Sequence, residues 1–279
     1  MAKILTLFER PTPLAIDARN LTENHLGAEI AGKNTLSNTT SFHYMSKDGH
    51  FFSSAVYAIH QTNPIHVCSN SGCVIIIDGK PQLDARILLP EDILIAFLNG
   101  NLGPFLERVD GSWVIYIYDS RNKQFLLIRD SVGLKPAYFV NLQKTVVAGS
   151  SPRSVISSNQ FSADPNYINI GRFCATSHRS VFGRGLSFFD GVELVKPATI
   201  NKFKQGTSSI ETHSYWEMRP FEKFNSASKS VQSDELLDTL STTLKSIINS
   251  RDQNPILTIS GGIDSGAIAA IINKILDIK

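Results

Sequence analysis

The sequence predicts an α+β fold, in which a layered β-sheet domain is followed by the start of an α/β domain. Three observations predict this. Short β-like runs alternate with turn signals between residues 67 and 149. Between residues 219 and 232 the composition shifts to Lys, Ser, Asn and Glu, as in a linker. After residue 255 an apolar run, a Gly-Gly pair and an apolar helix-like stretch follow one another, which is the order of a strand, a turn and a helix.

The first domain, assigned to residues 1–218, is predicted from runs rich in branched and aromatic residues, which favour strands. In chain order these runs are CVIII before Asp78-Gly79, WVIYIYD before Arg121-Asn122-Lys123, FLLIRD, AYFV, TVVAGS, VELV and ATINKF. One helix is predicted at residues 91–98, because the apolar residues there recur at helical spacing.

A linker at residues 219–232 separates this domain from a second one, assigned to residues 233–279. Ser233-Asp234-Glu235 is typical of a helix start. An apolar stripe follows it at helical spacing, formed by Leu236, Leu237, Leu240, Leu244, Ile247 and Ile248.

The sequence of the second domain predicts a phosphate-binding loop. A buried strand is expected at Ile256, Leu257 and Ile259, with a turn at Ser260-Gly261-Gly262 and a helix over residues 267–276. Glycines let backbone N–H groups approach a ligand closely, and a helix start favours anions.

Asp264 and Ser265 lie where the new helix has unpaired N–H groups. The loop lacks the lysine of a Walker-type phosphate loop, so we expect it to hold pyrophosphate, with Mg²⁺ on Asp264. The competing interpretation is a plain α/β connection, in which Ser and Asp serve only as helix caps.

Composition indicates a globular protein and excludes some partners. The chain has 279 residues, 42% hydrophobic and 19% charged, and its formal charge is +2. So balanced a charge does not favour nucleic acid or an anionic membrane surface as the main partner. No apolar run approaches the length of a membrane span, and the start does not resemble a signal peptide. We therefore expect a cytoplasmic protein.

Three cysteines, Cys68, Cys73 and Cys174, are too few for a disulfide framework. They also lack the second Cys or His pair that a zinc site requires. We therefore expect free thiols.

Several blocks, in order, resemble the asparagine synthetase family. They are VDGSWVIYIYDSRNKQFLLIRDSVGLKPAYF, FFDGVELVKPATI followed by Tyr215-Trp216, and the closing Ser260-Gly261-Gly262-Ile263-Asp264-Ser265. The last is similar to the family's S-G-G-x-D-S pyrophosphate loop. The resemblance covers residues 75–279, whereas residues 1–74 match poorly.

The resemblance implies an N-terminal Ntn-type αββα sandwich, like a class II glutamine amidotransferase. It further implies the start of an adenine-nucleotide-hydrolase-like synthetase domain that uses ATP and Mg²⁺. In that domain Thr258 and Ile259 would present backbone to the adenosine, while Ser260, Gly261, Gly262, Asp264 and Ser265 would hold the pyrophosphate. Within the first domain, residues 129–136 are expected to be a structural turn, held by a pair between Arg129 and Asp130.

The sequence departs from the family where glutamine is hydrolysed. Ala2 replaces the cysteine nucleophile, and a methyl group cannot attack an amide. Asp78-Gly79-Lys80 stands where the family has Asn-Gly-Glu, and Leu89-Pro90-Glu91-Asp92 where an aspartate grips the glutamine's amino group. We therefore expect a degenerate glutamine pocket with no catalytic residue of its own.

These departures resemble the non-hydrolysing branch: β-lactam synthetases, carbapenam synthetases and lasso peptide cyclases. The first functional hypothesis is thus an ATP-dependent ligase that adenylates a small-molecule or peptide carboxylate and forms an amide bond within one substrate, without glutamine hydrolysis. The second is a glutamine-hydrolysing asparagine synthetase, against which Ala2 argues. The third is an inactive fragment or an interaction module.

The position of the loop favours the third hypothesis, because just fourteen residues follow Ser265. The resemblance implies a synthetase domain that continues well beyond such a loop. An apolar helix without the sheet that it should cover would expose apolar surface. We therefore expect that a second chain could supply the rest of the synthetase domain.

Overall fold

The computed structural model describes residues 3–9, 39–47, 50–58, 65–68, 71–84, 86–143, 145–158, 161–175, 187–219, 229–249 and 256–276. These residues fall into two compact units. One lies within residues 1–81 and 88–217, and the other within residues 82–87 and 218–279.

The described strands, in chain order, are β1 (Lys3–Glu9), β2 (Thr39–Met45), β3 (Phe51–Ala58), β4 (Ile65–Cys68), β5 (Cys73–Leu83), β6 (Arg86–Ile87), β7 (Asp110–Asp119), β8 (Gln124–Arg129), β9 (Tyr138–Asn141), β10 (Thr145–Gly149), β11 (Glu193–Leu194), β12 (Thr199–Lys204) and β13 (Ile210–Ser214). The described helices are α1 (Pro90–Leu98), α2 (Leu102–Leu106), α3 (Pro152–Ile156), α4 (Tyr167–Ala175), α5 (Lys229–Asn249) and α6 (Ile263–Leu276).

The strands form two sheets. The first has the order β11-β9-β10-β1-β3-β2, and the second has the order β13-β12-β8-β7-β5-β4, with β6 paired to β5. The strand pairs whose register is resolved are antiparallel, such as Leu5 opposite Gly149 and Ile200 opposite Ile128. The fold is therefore a mixed α/β fold with antiparallel sheets.

The two sheets pack face to face around one apolar core, and the face that each turns toward the other is called its inner face. On β7, Val114, Tyr116 and Tyr118 alternate along the strand and are fully buried in this core. Phe51 of the first sheet stacks on Tyr118 of the second, with ring centroids 4.8 Å apart. Each such side chain contributes about 1.5–3 kcal/mol when it leaves water, which makes the core the main stabilising element.

The outer face of the first sheet is covered in part by α3. Ser151 caps this helix, since its hydroxyl accepts a hydrogen bond from the Ser154 N–H at 3.1 Å. Val155 is fully buried and packs with Leu5, Leu7 and Val147 of the first sheet.

Most strands predicted from the sequence are present in the structure at nearly the predicted residues, and α1 begins one residue before the predicted helix. The turn expected at Asp78-Gly79 is wrong, because β5 continues through both residues to Leu83. The strands β1, β2 and β3 were not predicted, although they supply half of the first sheet.

The second unit contains α5 and α6, which pack against each other. The first of them begins at Lys229, four residues before the helix start expected at Ser233. The strand expected at Ile256, Leu257 and Ile259 is wrong, since these residues are exposed coil. No described strand pairs with them to complete their backbone hydrogen bonds. Among the described helices, none is long and apolar enough to cross a membrane.

Candidate functional site

The first expected site residue, Ala2, lies outside the described residues, which begin at Lys3 of β1. The sequence shows only that its side chain is a methyl group. Two other positions of the expected degenerate pocket, Asp78 and Pro90, lie among the described residues.

Asp78 lies on the inner face of β5, where it alternates with Val74 and Ile76 of the core. Its carboxylate Oδ1 accepts a charged hydrogen bond from Lys135 Nζ at 2.6 Å, and both side chains are at least nine-tenths buried. Burial raises the pKa of Asp78 above its ordinary value, and the positive charge of Lys135 opposes part of that rise. The site thus holds a buried, electrically neutral ion pair.

Two oxygen atoms near this pair have no hydrogen-bond partner among the described residues: Asp78 Oδ2 and the hydroxyl of Tyr116. Burial raises the pKa of Tyr116 well above its ordinary value, and the negative charge of Asp78 adds to the rise. The Tyr116 hydroxyl is therefore neutral at any physiological pH. Sequence reasoning missed both Tyr116 and Lys135, and only the two-residue alternation of β7 could have placed Tyr116 on the inner face.

Gly79 explains why the strand passes through the predicted turn. Its φ is +118°, which favours glycine, and an added Cβ would lie 2.1 Å from the backbone oxygen of Ser112. Only a residue without a side chain lets β5 come so close to β7. Gly79 is therefore required for the close approach of β5 to β7.

The segment 129–136 is a turn, as expected, but Arg129 and Asp130 do not pair with each other. The guanidinium of Arg129 donates to three backbone carbonyls, those of Gly133, Lys135 and Val195, at 2.5–2.6 Å. The carboxylate of Asp130 accepts from the N–H groups of Leu134 and Lys135 at 2.8 and 2.9 Å. The expected pairing is therefore wrong, because each charge is satisfied by the backbone of the turn.

This turn positions the buried ion pair. The backbone N–H of Lys135 donates to the Asp130 carboxylate and its carbonyl accepts from the Arg129 guanidinium, so its side chain starts from a fixed point beside Asp78. The hydroxyl of Tyr215 donates to the Arg129 carbonyl at 2.7 Å, and its ring stacks on Trp113. Burial raises the pKa of Tyr215, so this hydroxyl keeps its proton.

At the other expected position, Pro90 is the first residue of α1 and is buried. The carboxylate of Asp92 accepts a hydrogen bond from the Leu89 N–H at 2.8 Å and so stabilises the start of this helix. The acidic residue here has a structural role in the described chain.

The loop at residues 258–265 leads into α6 and is exposed throughout, except for Ser265, which is half-buried. Its two serine hydroxyls are 3.1 Å apart, and Ser265 Oγ donates to the Gly262 carbonyl at 3.1 Å. The N–H groups of Ser260 and Gly262 donate to the serine hydroxyls at 3.3 and 3.4 Å. Gly261 has a φ of +82° with open space around it, so the turn is tight and its surface is accessible.

The expected ligands Thr258, Ile259 and Asp264 are exposed on the same loop. Asp264 is the single carboxylate in the first turn of α6. Magnesium in nucleotide sites takes one or two carboxylates and completes its shell with phosphate oxygens and water, so one aspartate beside two hydroxyls fits a Mg²⁺–phosphate complex. The described residues contain no group of three or more His, Cys, Asp or Glu side chains that could hold a metal by themselves.

Comparison with known proteins gives one family match and one curated relative. A family model described as a glutamine amidotransferase domain matches residues 91–216. Asparagine synthetase [glutamine-hydrolyzing] 2 of Bacillus subtilis (strain 168) is 23% identical over an alignment of 174 residues that covers 59% of this chain and 23% of that protein. The matched part of the chain therefore spans about a quarter of the relative's length.

Two solved structures are similar at 8% sequence identity, each over 77% of this chain and 49% of the other. One is glutamine phosphoribosylpyrophosphate amidotransferase from B. subtilis complexed with ADP and GMP, with a TM-score of 0.43. The other is described as the allosteric regulatory enzyme of purine biosynthesis, with a TM-score of 0.45. Part of this chain is therefore similar to glutamine amidotransferase domains and to an asparagine synthetase.

Proposed function

We propose that this chain is part of an ATP-dependent ligase, related to the asparagine synthetases, that forms an amide bond without hydrolysing glutamine. The amidotransferase-type match supports the family part of this proposal. The buried ion pair of Asp78 and Lys135 is the observation that carries the non-hydrolysing part.

Hydrolysis of an amide builds negative charge on the carbonyl oxygen, and a neutral or positive donor must face that oxygen to stabilise it. The resembled family has an asparagine where this chain has Asp78, and an asparagine amide can donate. A carboxylate cannot donate, and its charge is already matched by Lys135 at 2.6 Å. Since Ala2 also removes the nucleophile, the domain lacks two separate requirements of the reaction.

In the proposed reaction a carboxylate oxygen of the substrate attacks the α-phosphorus of ATP, and pyrophosphate leaves. An amine nitrogen then attacks the acyl carbon, AMP leaves, and the nitrogen loses a proton. The substrate is a small-molecule or peptide carboxylate. An amine within the same substrate is held close to the acyl carbon, so proximity favours the second step.

The loop at 258–265 would bind the pyrophosphate end of ATP. Ser260, Gly261, Gly262 and Ser265 would face the phosphate oxygens, Thr258 and Ile259 would present backbone to the adenosine, and Asp264 would hold Mg²⁺. When bound, the ion supplies positive charge that neutralises the phosphates. The exposed, glycine-containing turn at the start of a fourteen-residue helix supports this assignment.

The exposed residues Ile256 and Ile259 and the first helical residue, Ile263, need a cover for their apolar side chains. We propose that further synthetase sequence, in a second chain or in a longer form of this one, supplies strands that pair with this segment. The chain alone is then expected to bind ATP weakly and not to turn it over.

A second candidate is a glutamine-hydrolysing asparagine synthetase, favoured by the name of the curated relative. Ammonia release from glutamine by the purified chain separates the two functions. We expect release no faster than without protein, and release that is lost on blocking thiols would refute the proposal.

The phosphate site is tested by titration calorimetry with Mg²⁺–ATP and with pyrophosphate. Asp264→Ala is expected to abolish the weak binding, whereas Asp238→Ala, which removes an exposed carboxylate from α5, is expected to leave it unchanged. Tight binding that survives Asp264→Ala would show that the loop is not the site. Amide formation by the isolated chain would show that no further sequence is required.

A further inference from the structure

The sandwich has a polar inner face along one open edge, where β12 and β13 end the second sheet. In register, Asn201 of β12 lies opposite Thr212 of β13. Asn201 is buried, donates to Thr199 Oγ1 at 3.0 Å and accepts from the Thr212 hydroxyl at 3.0 Å. Inner-face positions of a sandwich are ordinarily apolar, so a hydrogen-bonded polar patch here needs an explanation.

A cleft of about 570 Å³ opens between the two sheets at this edge. Asn201 and Thr212 line it on the second sheet, together with Ile210. Phe139 of β9 lines it from the first sheet, and its ring meets Phe203 edge-on at 5.8 Å. The cleft therefore combines apolar walls with a few placed polar groups, which is the usual composition of a small-molecule site.

The charge in the cleft is negative. Glu193 of β11 is opposite Phe139 in register, so its side chain shares the inner face, and it has no side-chain partner among the described residues. Asp190 also lines the cleft, and one of its oxygens accepts from Asn166 Nδ2 at 2.6 Å. Lys196 is the third charged lining residue, so two carboxylates and one ammonium group line the cleft.

We propose that this cleft binds a small organic cation, a primary ammonium or guanidinium group carried on an apolar stem. The cation would pair with the Glu193 carboxylate, and the stem would lie between Phe139 and Ile210. A ligand anion would meet two carboxylates, and a neutral ligand would leave Glu193 without a partner. The proposal does not depend on the amide-forming activity, because no residue of the cleft belongs to the loop at 258–265 or to the pair at Asp78.

The probes are n-butylammonium and n-butylguanidinium, with n-butanol as a neutral molecule of the same stem. They are titrated into the isotope-labelled chain, and amide chemical shifts of residues 193–194 and 210–212 are followed by NMR. We expect saturable shifts with both cations, weakened by added salt, and much smaller shifts with butanol. Equal shifts with butanol would show that the cleft selects only apolar stems and would overturn the proposal.

Three variants test whether the Glu193 carboxylate is the charge that binds the cation. Glu193→Gln removes the proposed partner and is expected to weaken cation binding about fivefold, whereas Lys196→Met removes a like charge and should strengthen it. Glu211→Gln is the matched control, because this glutamate lies on β13, pairs with Lys202 and Lys204, and does not line the cleft.

If Glu211→Gln weakens binding as much as Glu193→Gln, the effect is one of net charge and the site is refuted. Weaker binding in Lys196→Met, or no saturable shift with either cation, refutes it as well. Far-UV circular dichroism of each variant verifies that the sheets are intact, which is expected since all three residues are exposed.

Discussion

The ion pair of Asp78 and Lys135 makes a sharp prediction for the variant Lys135→Met, which keeps the length of the side chain and removes its charge. The charged atoms are 2.6 Å apart and both side chains are nearly inaccessible to water. At an effective dielectric constant of about 20, their attraction is about 6 kcal/mol. Proton uptake by Asp78 in the variant offsets part of the loss, so we expect the free energy of unfolding to fall by about 3–5 kcal/mol near neutral pH.

The loss should depend on pH in a definite direction. Burial already raises the pKa of Asp78 in the folded protein, and removing the lysine raises it further. A carboxyl group whose folded pKa lies above its unfolded pKa gains stability as the pH falls through the folded value. The stability difference between variant and parent should therefore shrink between about pH 8 and about pH 5, since the variant's carboxyl takes up its proton first.

Urea unfolding, followed by tryptophan fluorescence at both pH values, measures these differences. The double variant Asp78→Leu/Lys135→Met should recover to within about 1.5 kcal/mol of the parent, because no charge is left buried. Lys204→Met is the exposed control, since its 2.8 Å pair with Glu211 lies in water and its loss should not be measurable. A loss under about 1 kcal/mol in Lys135→Met, or a loss that grows on acidification, would refute the reasoning.

Three further changes test the packing around this pair, each by urea unfolding. Gly79→Ala should cost more than about 3 kcal/mol, because the new Cβ meets a backbone oxygen at a positive φ, whereas Gly100→Ala, with φ +69° and open space, should cost only about 1 kcal/mol. Tyr215→Phe should cost about 1–2 kcal/mol by removing the donor to the Arg129 carbonyl, whereas Tyr116→Phe removes a hydroxyl without a described partner and should change stability by less than about 0.5 kcal/mol. Arg129→Lys should cost about 2–4 kcal/mol, since an ammonium group cannot reach three carbonyls in the plane of a guanidinium. If Gly79→Ala, Tyr215→Phe or Arg129→Lys is as stable as the parent, the argument for that residue is contradicted.

Local sequence patterns predicted most strands between residues 73 and 204 well and failed where a contact with distant residues decides the conformation. The run at 125–130 begins with four apolar residues, and it forms β8 almost as predicted. Asp78-Gly79 has the composition of a turn, but the close approach of Ser112 requires a glycine within a strand. No local pattern encodes that distant backbone oxygen.

The candidate site shows the same division. The exposed loop at 258–265 could be predicted because Gly261, Ser260 and the start of α6 are neighbours in the chain. The pair of Asp78 with Lys135 could not, since the partners lie 57 positions apart in the chain and meet only after two sheets have packed. The strand expected at Ile256 failed for a related reason, because strand formation needs a neighbour that no described residue provides.

The position of β1 in the first sheet has a consequence for how the chain folds. This N-terminal strand pairs with β3 on one side and with β10 on the other, and the Ile4 N–H donates to Ser150 Oγ at 3.0 Å. During synthesis β1 must wait until about residue 150 has left the ribosome before its second neighbour exists, and closing so long a loop is entropically slow. Until then the row of unpaired backbone groups along β1 is open to pairing with other nascent chains. The topology of this sheet therefore delays the full pairing of β1 and leaves a strand edge exposed to aggregation until β10 has been made.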